Sequence, residues 1–101
     1  MEPELSLFLH TGRSFADAIE SQLFGKPCFE TGGKAFICFF GKSMVFKLPV
    51  EAHRVAMALE EAVLFDPSGK GRAMKEWVQL SYRHRDRWPD LAQEAFVYAR
   101  E

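Results

Sequence analysis

The sequence predicts an α+β domain in which an antiparallel sheet is flanked by helices, in the order α-β-β-β-α-β-α. Residues 27–48 are rich in aromatic and β-compatible side chains and are divided by two glycine turns, as in a meander. Residues 49–63 and 85–100 carry apolar side chains at helical spacing. With 101 residues, of which 48% are hydrophobic, the chain can close one core but not two. We therefore predict a single domain over residues 1–101.

The N-terminal part of the chain predicts a helix that begins at Ser14, whose hydroxyl can accept hydrogen bonds from the free N–H groups of a first turn. Gly25 is a natural end for it, because glycine readily adopts the left-handed conformation that closes many helices. The apolar residues of the predicted buried face are Ala16, Ile19 and Leu23. Residues 3–10 also have helical spacing, and since Gly12 interrupts the pattern they form either a separate turn or part of the same helix.

Three strands follow, over residues 27–30, 35–40 and 44–48. Glycine-containing turns at 31–34 and 41–43 separate them. Because such short connections join neighbouring antiparallel strands, the sequence predicts a three-stranded meander.

The middle strand of this meander is apolar on both sides. Strict alternation directs Ala35, Ile37 and Phe39 to one face and Phe36, Cys38 and Phe40 to the other. An antiparallel sheet with one solvated face would alternate apolar and polar residues instead. Either helices cover both faces, or one face meets another subunit. Since the predicted helices can all pack on one side of so small a sheet, we expect a homodimer.

The second half of the chain alternates helix and strand. Pro49 ends the third strand and opens a helix whose apolar face runs from Ala52 to Val63. Residues 66–72 have the composition of a loop, and residues 77–82 resume strand character. The last helix is predicted from about 85 to 100, with a proline in its first turn, where the N–H groups lack partners in any case.

Several segments, taken in order, resemble a known family. They are Gly33-Lys34-Ala35-Phe36, Met44-Val45-Phe46-Lys47-Leu48-Pro49, Phe65-Asp66-Pro67 with Gly69, Gly71-Arg72, Met74-Lys75-Glu76-Trp77-Val78, Arg87-Trp88 and Leu91-Ala92-Gln93-Glu94-Ala95. Over about residues 23–100 the chain resembles the TfoX N-terminal-domain-like family, which is related in fold to the YjbR type. The resemblance implies an antiparallel sheet flanked by helices, frequent dimers and a link to regulation of bacterial competence. It supplies no catalytic residue.

The segment from Asp66 to Arg72 is a candidate anion site. Consecutive N–H groups in a glycine-containing loop can form a concave nest for an anion, and Lys70, Arg72 and Lys75 add positive charge. From Lys70 to Arg87 there are six basic residues against two acidic ones. The alternative is a tight connection in which Arg72 pairs with a neighbouring carboxylate and the lysines are solvated.

Catalytic and metal chemistry are not indicated. Gly41-Lys42-Ser43 ends like a phosphate-binding P-loop, but Phe36 stands where that motif needs glycine, so a hairpin turn is predicted. The three histidines lie on different segments without ligand spacing. Cys28 and Cys38 have no adjacent base and are predicted to be inert, buried thiols. We expect no enzyme activity, no metal and no cofactor.

The sequence therefore favours a non-enzymatic interaction or regulatory domain, including transcription regulation, that binds a protein partner or its own copy. A net charge of −1 gives no global field for nucleic acid or membrane. Two alternatives stay open: a nucleic-acid-binding module that uses Lys70 to Arg87, and a small-molecule binder with a pocket between sheet and helices. Because no signal peptide and no apolar run long enough for a membrane span is recognisable, we expect a cytoplasmic protein without a membrane partner.

Overall fold

The computed structural model describes residues 2–101, which form one six-stranded antiparallel sheet with helices packed against it. The α-helices are α1 (Pro3–Arg13), α2 (Val50–Met57) and α3 (Trp88–Ala99), and a 3-10 helix covers Tyr82–Arg87. The strands are β1 (Ile19–Leu23), β2 (Lys26–Thr31), β3 (Lys34–Phe40), β4 (Ser43–Lys47), β5 (Val63–Phe65) and β6 (Met74–Leu80). Their order in the sheet is β1-β2-β3-β4-β6-β5. The predicted fold class is confirmed, and the observed order of α-helices and strands is α-β-β-β-β-α-β-β-α.

The predicted meander is present as β2, β3 and β4. Its two turns consist of two residues each, Gly32-Gly33 and Gly41-Lys42, and all four residues have φ between 55° and 79°. Two consecutive left-handed residues twist a hairpin in the direction that its strands require, and glycine adopts this conformation at little cost. The turns therefore fix the pairing of the three strands from local sequence alone.

The segment predicted as a helix from Ser14 to Gly25 is instead a turn followed by β1, so that prediction is wrong. Phe24 and Gly25 have φ of 53° and 75° and form another two-residue hairpin turn, which pairs Leu23 with Lys26. An isolated helix of this length is marginal in water, whereas β1 gains a full ladder of hydrogen bonds to β2. The helical spacing of residues 3–10 belongs to α1, which continues through Gly12 to Arg13.

The second helix is shorter than predicted. α2 ends at Met57, a turn covers residues 58–62, and Val63 belongs to β5, where it pairs with Gln79 of β6. The apolar spacing over 52–63 therefore combined a helix with a strand. The last helix begins at Trp88 rather than near 85, because the 3-10 helix precedes it, and Pro89 lies in its first turn as expected.

The main core lies between the sheet and the helices. Its helical side chains include Phe8 of α1, Ala56 of α2, and Trp88, Ala92 and Ala95 of α3. The sheet contributes Phe29, Ile37, Met44, Phe46, Val78 and Leu80. We call this side of the sheet the helix face. Since α1, α2 and α3 all pack here, no described helix covers the opposite side, which we call the second face.

A bulge in β3 brings Phe36 to the helix face. Phe29 pairs with Ile37 and the next residue pairs with Ala35, which leaves Phe36 without a partner on β2. The extra residue interrupts strict alternation, so Phe36 and Ile37 both enter the main core. The ring of Phe36 packs 5.5 Å from that of Phe15 and 5.3 Å from that of Phe96. The prediction that it shares a face with Cys38 and Phe40 is wrong for this reason.

The second face is covered by side chains of the same chain. Its buried cluster consists of Cys28, Cys38, Val45, Phe65 and Trp77. The ring centres of Phe65 on β5 and Phe40 on β3 are 5.2 Å apart, although β4 and β6 lie between these strands. Three strand spacings amount to about 14 Å in a flat sheet, so the sheet curves and its β5 edge folds over. The homodimer stays a prediction, but it loses the exposed apolar face that suggested it.

Gly12 is the position where α1 comes closest to the sheet. A Cβ atom there would lie 2.1 Å from Cε2 of Phe29. We expect Gly12→Ala to lower the free energy of unfolding by about 1–3 kcal/mol, because the ring of Phe29 must move inside a close-packed core. Urea denaturation measures this. The control, Ser6→Ala on the exposed side of α1, should change the free energy by less than about 0.5 kcal/mol. Equal stability of the two variants would refute the proposed close contact.

Candidate functional site

The loop from Asp66 to Arg72 does gather its N–H groups around an anion, and that anion is the chain's own carboxylate. Oδ1 of Asp66 accepts hydrogen bonds from the backbone N–H groups of Ser68 and Gly69, each at 3.1 Å. Oδ2 accepts from those of Gly71 at 2.8 Å and Arg72 at 3.1 Å. The Ser68 hydroxyl and these amides hold the pKa of the Asp66 carboxyl below its ordinary value. The predicted nest exists, but it is already filled.

The basic side chains of this loop, unlike its backbone amides, do not bind a carboxylate. Lys70 and Arg72 are exposed, and neither forms an ion pair with a carboxylate of residues 2–101. The alternative in which the Arg72 guanidinium pairs with a neighbouring acid is therefore not what the structure shows. Only the backbone of Arg72 contacts Asp66. The loop is held by its amides, which leaves its two cationic side chains available.

The basic stretch from residue 70 to 87 does not form one surface. Lys75 lies at the start of β6, whose remaining residues up to Leu80 span roughly 17 Å at 3.3 Å per residue. Beyond the far end of β6 come Arg83, Arg85 and Arg87. Arg83 is also paired with the carboxylates of Glu60 and Glu61, at 3.3 and 3.6 Å. The nucleic-acid alternative thus loses the continuous patch on which it depended.

The sheet topology instead places two other lysines near the start of β6. Lys34 begins β3 and Lys47 ends β4, and because β3, β4 and β6 are consecutive antiparallel neighbours, these residues lie at the same end of the sheet as Lys75. We call this region the basic end; it comprises Lys34, Lys47, Lys70, Arg72 and Lys75. The sequence analysis missed Lys34 and Lys47, although each stands at the boundary of a correctly predicted strand.

The two cysteines face each other on neighbouring strands. Cys28 pairs with Cys38, both are buried, and both are free thiols. Burial raises the pKa of Cys28 to about 11 and that of Cys38 to about 12. At neutral pH both are therefore protonated, in agreement with structural rather than nucleophilic thiols.

β1 is an open edge of the sheet. Since a two-residue turn closes the β1–β2 hairpin, Leu23 and Lys26 form a hydrogen-bonded pair, and the pattern alternates from there. The backbone groups of Glu20 and Gln22 consequently point away from β2. On that outer side β1 has no neighbouring strand among the described residues. The side chains of Ile19 and Phe24 are 68% and 59% exposed beside it.

β1 also lacks the usual protection of an edge strand. Natural edges are blunted by proline, lysine, bulges or very short length. β1 has five residues, none of them proline or lysine, in regular register with β2. Its one charge, that of Glu20, is paired with Arg13 at 2.6 Å. The other edge, β5, is protected by its three-residue length and a register shift against β6.

Residues 2–101 contain no group of three His, Cys, Asp or Glu side chains placed to hold a metal ion. None of their helices combines the length and apolar character that crossing a membrane requires.

No protein-family model, curated protein or solved structure gives a significant match to this chain. The resemblance to the TfoX N-terminal-domain-like family therefore stays a prediction that rests on the segments quoted above.

The carboxylate of Asp66 should be required for order in its loop. We expect Asp66→Ala to accelerate hydrogen exchange of the amides of Ser68, Gly69, Gly71 and Arg72, because all four lose their acceptor. Nuclear magnetic resonance measures the exchange of each amide.

Glu94→Ala, an exposed change in α3, is the control for this variant and should leave the loop amides unaffected. In the wild type, the contribution of Asp66 is present above its ordinary pKa of 3.8 and is lost as the pH falls through the lowered value of the folded state. Unchanged exchange in Asp66→Ala would show that the loop is ordered by other contacts.

Both thiols should resist alkylation in the folded protein. At pH 8, we expect iodoacetamide to modify Cys28 and Cys38 in denaturant but not under native conditions, because burial blocks access and raises both pKa values. Mass spectrometry counts the added groups. Ser6→Cys, an exposed thiol in α1, supplies a positive control. Rapid native labelling of either natural cysteine would contradict the buried placement.

The same thiols give a pH dependence with a definite sign. Their ordinary pKa is 9.0 and their folded values are higher, so the unfolded chain loses these protons first. The associated stability is complete below pH 9 and decreases as the pH rises towards 11 to 12.

Proposed function

We propose that this domain is a non-enzymatic interaction module that associates through the edge strand β1, first with a second copy of itself. One observation carries the proposal: β1 combines outward-pointing backbone groups at Glu20 and Gln22 with the exposed apolar side chains of Ile19 and Phe24. An unprotected edge of this kind is a template for pairing with another strand.

The sequence of β1 suits antiparallel pairing with itself. With the two-fold axis at Ser21, Glu20 of one copy lies opposite Gln22 of the other, and each such pair exchanges two backbone hydrogen bonds. No like charges then stand directly opposite each other. The two sheets would become continuous across the axis.

The side chains of β1 add an apolar contribution to this pairing. Leu23 packs against the second-face cluster, and alternation along the strand puts Ile19 on the same face. In the two-fold arrangement Ile19 lies beside Leu23 of the second copy and extends that cluster. Full burial of an isoleucine side chain stabilises by about 1.5–3 kcal/mol. Because five residues make a small interface, we expect a reversible dimer with a dissociation constant on the order of 10–100 µM.

The same edge accepts an extended segment of another protein, since main-chain pairing depends little on side-chain identity. Self-pairing and partner binding would then compete for β1. Through this competition a partner would control the amount of dimer, which is the regulatory role that we propose. We also propose a cytoplasmic location, because Cys28 and Cys38 lie opposite each other as free thiols, which a reducing compartment maintains.

Sedimentation equilibrium tests the association. Between about 1 µM and 1 mM, a range that brackets the expected affinity, the wild-type mass should rise from that of a monomer to that of a dimer. Gln22→Pro removes the outward N–H and should abolish the dimer while β2 pairing persists. Ile19→Lys, at an exposed position, should weaken it at least tenfold, because it removes the apolar contact and adds charge at the edge.

Val50→Lys serves as the control, since Val50 is 87% exposed on α2 and does not belong to β1. It should dimerise like the wild type. The proposal would be overturned if the wild type were still a monomer at about 1 mM, the highest concentration of this range. So would dimerisation of Gln22→Pro and Ile19→Lys with wild-type affinity.

A further inference from the structure

A cavity of about 290 Å³ opens between α1 and α3, and we call it the α1–α3 cavity. Its volume lies close to the lower limit of ordinary small-molecule sites, which measure about 300–1,000 Å³. None of the residues that line it is a lysine, arginine, aspartate or glutamate. An ionic ligand would therefore lose hydration there without gaining a fixed counter-charge, so the lining favours an uncharged ligand.

Two helices supply opposite walls of this cavity. One stripe of α1 and its C-terminal cap provides residues spaced by three or four positions: Leu7, His10, Thr11 and Ser14. On α3, Pro89 and Gln93 lie about one turn apart. Because side chains at these spacings project from the same side of a helix, each helix directs its own set into the space between them.

The apolar part of the α1–α3 cavity includes an aromatic ring that is already held in place. Phe15 lines the cavity, and its ring stacks on that of Phe96 of α3 with the ring centres 4.7 Å apart. The ring of Phe36 meets it edge to face at 5.5 Å. Leu7 and Pro89 add aliphatic surface on the two walls. Since aromatic rings attract one another in stacked or edge-to-face contact, this lining favours a flat aromatic ligand.

The polar part of the cavity offers hydrogen bonds of both senses. The hydroxyl of Ser14 donates to the carbonyl oxygen of Thr11 at 2.6 Å, so its oxygen is left to accept from a ligand. The amide of Gln93 both donates and accepts, and the imidazole of His10 bonds through its ring nitrogens. Within residues 2–101, neither of these two side chains has a hydrogen-bond partner. A ligand amide, with a donor and an acceptor side by side, matches this set.

A further hydroxyl in the wall of the cavity lacks a partner. Thr11 is 5% exposed, and its Oγ1 is buried without a hydrogen bond. Such groups are rare, because a buried hydroxyl without a partner costs free energy. Threonine in a helix adopts either of two χ1 rotamers, so a polar ligand in the adjacent cavity can draw this hydroxyl towards it. The hydroxyl of Thr11 is thus a second indication of a polar ligand.

We propose that the α1–α3 cavity binds a small, uncharged heteroaromatic molecule that carries an amide group. The ring of the ligand packs against Phe15, and its amide bonds to Gln93 and to the hydroxyl oxygen of Ser14. The walls are in place before a ligand arrives, because Phe8 of α1 and Ala92 of α3 are fully buried in the main core. A preformed cavity of this kind lowers the cost of binding.

Titration with nicotinamide, followed by nuclear magnetic resonance on the full chain, tests the proposal. Nicotinamide should shift the backbone amides of Thr11, Phe15 and Gln93, with a dissociation constant on the order of 1 mM, as is usual for so small a ligand. Nicotinate has the same ring with a carboxylate in place of the amide. It should bind at least about fivefold more weakly, because it has no N–H group for Ser14 and finds no fixed counter-charge.

Gln93→Leu should weaken binding of nicotinamide by about fivefold, because it removes both hydrogen-bonding groups at an exposed position of α3. The matched control is Gln79→Leu, the same substitution on β6 outside the cavity, which should bind like the wild type. Thr11→Val should weaken binding by about two- to threefold without lowering the melting temperature, since the free protein loses no hydrogen bond. Two-dimensional spectra and melting temperatures verify that each variant is folded.

Three outcomes would overturn the proposal: no shifts of the lining residues with nicotinamide, equal affinities for nicotinamide and nicotinate, or equal affinities of Gln93→Leu and Gln79→Leu for nicotinamide. Unchanged binding by Thr11→Val would overturn the role of its hydroxyl. The cavity contains no residue of β1, which the proposed self-association uses. Its test therefore succeeds or fails independently of the dimer, and Ile19→Lys should bind nicotinamide like the wild type.

Discussion

The apolar side chains on both faces of β3 must be shielded from solvent within a single chain of 101 residues, and the rest of the architecture depends on how this is achieved. Three helices cover one face. A bulge turns Phe36 towards them, and curvature of the sheet brings Phe65 over Phe40 on the other face. A sheet that closes both faces in this way leaves its edges and ends, rather than a face, as surfaces for function. This is why the association surface proposed above is a strand edge.

Charged residues are also divided between internal contacts and the exposed end of the sheet. The negative charge of Asp66 is stabilised by the amides of its own loop, so the loop that was predicted to bind an anion holds its own carboxylate and exposes two cationic side chains. Antiparallel pairing then brings these cations to the same end of the sheet as Lys34 and Lys47, which lie far away in sequence. The basic residues between 70 and 87 are close in sequence but are separated by the length of β6. The basic end, by contrast, is assembled from strand termini that are far apart in sequence.

Several cysteine, histidine and acidic side chains of the described residues are engaged in internal contacts. The two cysteines are buried, His53 and His84 bond backbone carbonyls, and Asp66, Glu76 and Glu20 are bonded to loop amides, Tyr98 and Arg13 respectively. The proposed pairing at β1 uses backbone groups and side chains that these internal contacts leave free.

The sequence by itself determined the fold class, the meander of β2, β3 and β4, the final helix and the loop from 66 to 72. These are local features, because two-residue glycine turns and apolar periodicity act over a few residues. Of the site, it supplied Lys70, Arg72 and Lys75. Only the tertiary structure decided that residues 19–23 and 63–65 are strands. Short amphipathic segments have nearly equal propensities for helix and strand, and pairing with β2 or β6 selects the strand. It also decided the bulge at Phe36, the occupation of the loop amides by Asp66, and the placement of Lys34 and Lys47 at the same end of the sheet as Lys75. Each of these depends on contacts that the sequence pattern does not reveal.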